Sequence, residues 1–104
     1  MLSRTWITII LIQSSMSFSQ FTQKDYEVIA RNYAELKEAA KKRCAGEQEL
    51  DVVQKAFDFA NEAHKNVRRR SGEPYMLHPI AVAKIVVNDI GLGYKSIAAA
   101  LLHD

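Results

Sequence analysis

The sequence has little of what breaks or cross-links a chain. Two prolines and four glycines in 104 residues exclude collagen-like and linker-like readings. A single cysteine, Cys44, excludes an internal disulfide framework and fits a reducing compartment. The apolar run TWITIILI, residues 5–12, is far short of the about twenty residues that span a bilayer. An excess of one charge is also missing. A net charge of +2 is too weak to make the whole chain a nucleic-acid binder. What is present, 48% apolar and 25% charged residues, is the balance of a globular chain and not a disordered one. The length allows one domain or a piece of one.

The N-terminus differs from the rest. Residues 1–23 carry one charged side chain, Arg4, and a serine-rich stretch follows the apolar run. A basic start, a short apolar core and small residues after it have the pattern of a signal peptide. The rival reading makes Met16 the initiator and residues 1–15 an upstream extension outside the fold.

From Thr22 onward the period is helical. Thr22 can cap a first helix with Asp25 as its capping-box partner. Tyr26, Ile29, Tyr33, Leu36 and Ala40 form its apolar stripe, and Gly46 is a stop signal. A second helix is expected from about residue 47 to about residue 65, with Leu50, Val53, Phe57, Ala60 and His64 on one face. Val52, Ala56, Phe59 and Ala63 widen that face. Gly72 and Pro74 mark a loop, and Pro79 can open a third helix that Gly91 and Gly93 end. The run from Ile97 to Leu102 is ambiguous by period, but its three alanines favour a fourth helix. The expected fold is all-α, a helical bundle of about four helices without a sheet. The chain stops at His103 and Asp104 directly after AAALL. The last helical carbonyls would lack partners there, so truncation is expected.

The chemistry-bearing residues lie in the second half. His78 sits at a loop-to-helix junction, and His103 is followed at once by Asp104. Two imidazoles and a carboxylate converging between helices would suit Mn²⁺, Fe²⁺ or Zn²⁺ over Ca²⁺. A bare HD dipeptide is also common by chance, and a histidine at a helix end is usually solvated. The loop after His64 carries Lys65, Arg68, Arg69 and Arg70 with no acid among them, then Ser71 and Gly72. Clustered guanidiniums favour phosphate, and their planes can stack on a base. A solvated basic loop is the plain alternative.

The segments AFDFANEAHKNVRRRSGEPYMLHPIAVAKIV and IAAALLHD closely resemble the start of the hydrolase domain of the RelA/SpoT family. Members are bifunctional synthetases and hydrolases of the alarmones ppGpp and pppGpp. The resemblance covers roughly residues 21–104 and is strongest from Ala56. It implies an HD-type fold for residues 16–104. It implies that His78, His103 and Asp104 are metal ligands, with Mn²⁺ as the metal. It also implies that Arg69, Arg70 and Ser71 hold the guanosine nucleotide, Arg69 stacking on the base. Gly72, Glu73, Pro74 and Tyr75 look like loop architecture. The implied reaction is hydrolysis of the 3′-pyrophosphate of ppGpp to GDP and pyrophosphate by water activated at the metal. The implied setting is the stringent response in the cytoplasm, without DNA or membrane partners.

The departures from the family pattern are as informative. The VVEDT segment that follows ALLHD in the family, a later aspartate ligand, the synthetase domain and the C-terminal domains that associate with ribosomes have no counterpart in these 104 residues. General-base residues are therefore expected beyond Asp104, and the chain as written is expected not to turn over ppGpp usefully. Residues 1–15 also lack a counterpart, which favours the upstream-start reading. Three readings follow: an N-terminal piece of a bifunctional synthetase/hydrolase, a shortened stand-alone small alarmone hydrolase, or an inactive truncated product.

Overall fold

The computed structural model describes residues 16–103. The calls on residues 1–15 and on Asp104 lie outside the described residues. The elements run β1 (Ser17–Phe18), α1 (Gln23–Lys41), α2 (Glu47–Ala63), β2 (Val67–Arg68), α3 (Leu77–Ile85) and α4 (Tyr94–Leu102). A π-helical turn, Val86–Ile90, continues α3.

α1 begins where its cap predicts. The Thr22 hydroxyl accepts from the Asp25 N–H at 3.2 Å, and the Asp25 carboxylate accepts from the Thr22 N–H at 2.8 Å. This reciprocal pairing satisfies two donors that the helix itself cannot. Ile29, Tyr33, Leu36 and Ala40 are buried, whereas Tyr26 at the edge of the stripe is exposed. The helix ends at Lys41, short of Gly46. Its last turn tightens as Arg43 N–H donates to the Ala40 carbonyl at 2.9 Å. Gly46 instead precedes α2, and Glu49 reaches back to accept from the Ala45 N–H at 2.8 Å.

α2 buries Val53, Ala56, Phe57 and Ala60. The Phe57 ring stacks on Tyr33 at 3.8 Å between centroids, and the Tyr33 hydroxyl donates to Gln54 at 2.9 Å. Burial, with the charge of Asp58, pushes the Tyr33 phenol up to about 12. Val52 and Phe59, expected to widen the buried face, are 42% and 47% exposed. They line a shallow apolar groove with Ala56, Ala98 and Leu102 instead.

α3 starts at Leu77, two residues before the expected start at Pro79. Proline is still tolerated there, because the first four N–H groups of a helix have no intrahelical acceptor. Lys84 on α3 joins α1, with Nζ 2.7 Å from Glu35 and 3.1 Å from Asn32. α4 buries Ile97, Ala98, Ala100 and Leu101, and packs most extensively on α2 and α3. Leu36, Val53, Met76, Ile80, Ile97 and Leu101 are the deepest part of the core.

The all-α class holds, with one feature that the helical reading left out. Ser17 pairs antiparallel with Arg68 and Phe18 with Val67 in a two-residue ladder. Among the described residues no helix is long and apolar enough to cross a membrane.

Gly91 closes the π-helical turn in the left-handed region at φ 77°, and a Cβ there would lie 3.3 Å from the Arg43 guanidinium. An L-residue with a side chain pays roughly 1–2 kcal/mol for this conformation. Gly91→Ala is therefore expected to lower the unfolding free energy by about that amount, read as a fall in the urea midpoint. An unchanged midpoint would show that the turn relaxes to another conformation.

Candidate functional site

The site is assembled by the chain reversal after α2. His64 caps that helix, its N–H donating to the Ala60 carbonyl at 2.9 Å. Asn66 then takes a left-handed conformation at φ 66°, which asparagine tolerates better than most residues. Its carbonyl accepts from the Ser19 N–H at 2.9 Å, and its side-chain oxygen accepts from the Phe21 N–H at 2.8 Å. The segment before α1 is thus fixed to the segment after α2.

Arg68 completes that junction. Its Nη2 lies 2.7 Å from Asp25 Oδ2 and 2.8 Å from the Gln20 carbonyl, and its Nη1 lies 3.1 Å from the Gly72 carbonyl. The guanidinium also sits 5.2 Å from the Phe21 ring centre. Both partners of the ion pair are largely shielded, with side chains 15% and 18% exposed. The Arg68 hydrogen bond is the main cause that lowers the Asp25 carboxyl to about 2, and the Thr22 backbone contact adds to it. Arg68 therefore serves the fold, while Arg69 and Arg70 are exposed.

A tight turn presents those two arginines. The Arg69 N–H donates to the Glu73 carbonyl at 2.9 Å, and the Gly72 N–H donates to the Arg69 carbonyl at 2.8 Å. Gly72 takes φ 100°, a conformation that glycine supplies without steric cost. Arg68 pairs with Pro74 across the turn. The run of residues 64–71 holds no acid, but Glu73 folds back onto it. The Ser71 hydroxyl donates to Glu73 Oε2 at 2.6 Å, and Arg69 Nε lies 3.9 Å from Glu73 Oε1. The Ser71 hydrogen bond chiefly holds the Glu73 carboxyl below its usual range.

From the turn a row of rings leads to the histidines. His64 and Tyr75 are 4.7 Å apart between ring centres, Tyr75 and His78 5.9 Å, and His78 and His103 6.1 Å. The His78 N–H donates to the Tyr75 carbonyl at 2.9 Å. His103 follows the last residue of α4, with extended backbone at ψ 141°. Its Nδ1 lies 2.7 Å from the Ala100 carbonyl. In that geometry Nδ1 carries the proton and Nε2 keeps a lone pair for another partner.

The donor chemistry fits a divalent cation in part. Metal–nitrogen bonds of about 2.1 Å put two ring centres about 4.5–5.3 Å apart around one ion. The observed 6.1 Å is slightly wider. Among the described residues no group of three or more histidine, cysteine or acidic side chains converges. Asp104, the expected third ligand, lies outside the described residues.

A protein-family comparison matches the HD domain to residues 56–104. The chain is 51% identical over 57 residues to a chloroplastic GTP diphosphokinase, RSH1, of Arabidopsis thaliana, covering 55% of this chain and 6% of that protein. It is 42% identical over 57 residues to the guanosine-3′,5′-bis(diphosphate) 3′-pyrophosphohydrolase of Aquifex aeolicus, covering 55% of this chain and 8% of that one. It is 41% identical over 56 residues to the bifunctional (p)ppGpp synthase/hydrolase RelA of Mycobacterium tuberculosis, covering 54% and 8%. The chain thus spans less than a tenth of these relatives. No solved structure matches it.

The Arg68–Asp25 pair makes stability pH-dependent. A carboxyl lowered in the folded state stabilises above its unfolded value, 3.8, and that contribution is lost as pH falls toward about 2. Asp25→Asn is expected to be less stable than the wild type at pH 6, with the difference shrinking between pH 4 and pH 2 in thermal melts. Parallel curves across that window would mean that the pair adds nothing to the fold. The domain match and the aligned segment coincide: residues 56–104 match the HD domain, and over this stretch the chain is similar to (p)ppGpp synthases and hydrolases of the RelA/SpoT type.

Proposed function

We propose that this chain is part of a domain that hydrolyses the 3′-pyrophosphate of the guanosine alarmones ppGpp and pppGpp to release GDP or GTP and pyrophosphate. The observation that carries the reading is the approach of the His78 and His103 rings to 6.1 Å from positions far apart in sequence. The arginine-bearing turn lies just before His78 in the chain. The name of the Aquifex relative, a 3′-pyrophosphohydrolase, supports the reaction class.

The roles follow from the side-chain chemistry. Arg69 and Arg70 offer exposed guanidinium donors to phosphate, and the plane of Arg69 can carry the base. Ser71 adds a hydroxyl. An HD hydrolase implies a divalent metal, and we assign His78, His103 and Asp104 to hold it, with Mn²⁺ the preferred ion. A bound cation would polarise a phosphate oxygen and ease the deprotonation of water. The Ala100 carbonyl orients the His103 ring by accepting the Nδ1 proton, which leaves Nε2 for the ion. We place the chain in the cytoplasm and the stringent response, without DNA or membrane partners. Any ribosome association belongs to parts of the longer relatives outside these residues.

The test is a Mn²⁺ titration followed by electron paramagnetic resonance of the free ion. His78→Ala and His103→Ala are each expected to weaken Mn²⁺ binding by at least about tenfold. Arg69→Ala should leave Mn²⁺ binding unchanged and weaken ppGpp binding. Mn²⁺ affinity indifferent to both histidines would overturn the reading.

A further inference from the structure

The turn that presents the two exposed arginines also presents one carboxylate, and its placement is unusual for an anion-binding loop. The Glu73 backbone is fixed by the Arg69 N–H on its carbonyl and by the Arg68–Pro74 pairing beside it. The loop backbone therefore does not need the Glu73 side chain to hold its shape. One carboxylate oxygen, Oε2, accepts from Ser71 at 2.6 Å. The other, Oε1, lies 3.9 Å from Arg69 Nε, beyond hydrogen-bond distance, on a side chain 40% exposed. An ionised carboxylate with acceptor capacity to spare thus stands beside the edge of an exposed guanidinium plane.

A carboxylate there opposes phosphate, since like charges within a few ångströms repel. It favours a ligand group that offers hydrogen-bond donors. A base stacked on the Arg69 plane brings its edge to Oε1. Guanine offers two adjacent donors on that edge, the ring N1–H and the exocyclic amine, and a carboxylate accepts such a pair. Adenine offers an unprotonated ring nitrogen at the same place, and hypoxanthine lacks the exocyclic amine.

We propose that Glu73 determines base specificity at this site by accepting from the guanine edge while Arg69 stacks on the ring. This rests on the reading of the site as one for guanosine alarmones, and it adds which group reads the base. Ser71 acts as a positioning residue by holding Oε2 and turning Oε1 toward Arg69. The phosphates then lie on the far side of the guanidinium, toward Arg70 and away from the carboxylate.

The experiment compares the binding of ppGpp and its inosine counterpart to the full chain by calorimetry. The wild type is expected to prefer the guanosine form by about tenfold, the scale of one hydrogen bond to a charged group. Glu73→Gln, which keeps the size of the side chain and an oxygen for Ser71, should lose that preference and hold the inosine form within about twofold of wild type. Glu73→Ala should do the same, and circular dichroism of both variants checks that the helices are intact. Retention of the preference in both variants would overturn the proposal. So would tighter binding of both nucleotides, which would make Glu73 only a repulsive neighbour of the phosphates. Failure of the wild type to bind either nucleotide would instead overturn the underlying reading of the site, and the proposal with it.

Discussion

The contact between Arg68 and Asp25 is the joint on which the arrangement depends. It links the first turn of α1 to the start of the arginine turn, two segments separated by the whole of α1 and α2. One guanidinium reaches a capping carboxylate and two backbone carbonyls at once. A planar fork suits this, because its separate Nη1 and Nη2 groups reach acceptors lying in different directions. The Asp25 carboxylate serves both the capping box of α1 and Arg68. Removing either partner would leave the other poorly satisfied in a shielded position, and that loss exceeds the modest net gain of the pair itself. The junction therefore fixes the approach of the turn to the helices, and the turn carries the groups assigned to nucleotide.

The three consecutive arginines divide the work by geometry. In the short ladder successive side chains alternate sides. Arg68 turns toward Phe21 and Asp25, and the chain then leaves the strand, so Arg69 and Arg70 stay in solvent. The identical chemistry of the three in sequence hides this division. The deciding partner of Arg68 is 43 residues away, and no local pattern points to it. The same holds for Glu73, which follows the basic run and folds back because Gly72 reverses the chain at φ 100°.

The helices were legible because their signals are local. Thr22 and Asp25 make the capping box, the stripe Ile29, Tyr33, Leu36 and Ala40 is buried, and Gly91 stops the third helix. Two boundaries differ from the expected ones: α1 closes locally on its own carbonyls before Gly46, and α3 opens at Leu77, next to Tyr75 and Met76, which are buried in the core. The ladder of two residues per strand was too short to leave a period in the sequence. The segment between α2 and α3 reads as a loop from Gly72 and Pro74, and it also contributes Val67, Tyr75 and Met76 to the interior. Its apolar residues are isolated among polar ones, and isolated apolar positions carry no periodicity to reveal burial. Of the candidate site, the sequence offers His78 and His103 as candidates, and the packing of α3 against α4 brings their rings to 6.1 Å.

That packing also governs how firmly His103 is held. Ala56 on α2 and Ala98 on α4 are small, and small residues let helices approach closely, so Ile97 and Leu101 are almost fully buried. The other side of the same contact is open. Val52, Phe59 and Leu102 keep close to half of their surface in water along the groove between the two helices. Leu102 immediately precedes His103, so the histidine follows a residue anchored on one side only. Its ring is fixed locally by the Ala100 carbonyl and not by surrounding side chains of the core. The imidazole is thus oriented through its own helix end, and the packing of α3 against α4 sets its 6.1 Å separation from the His78 ring.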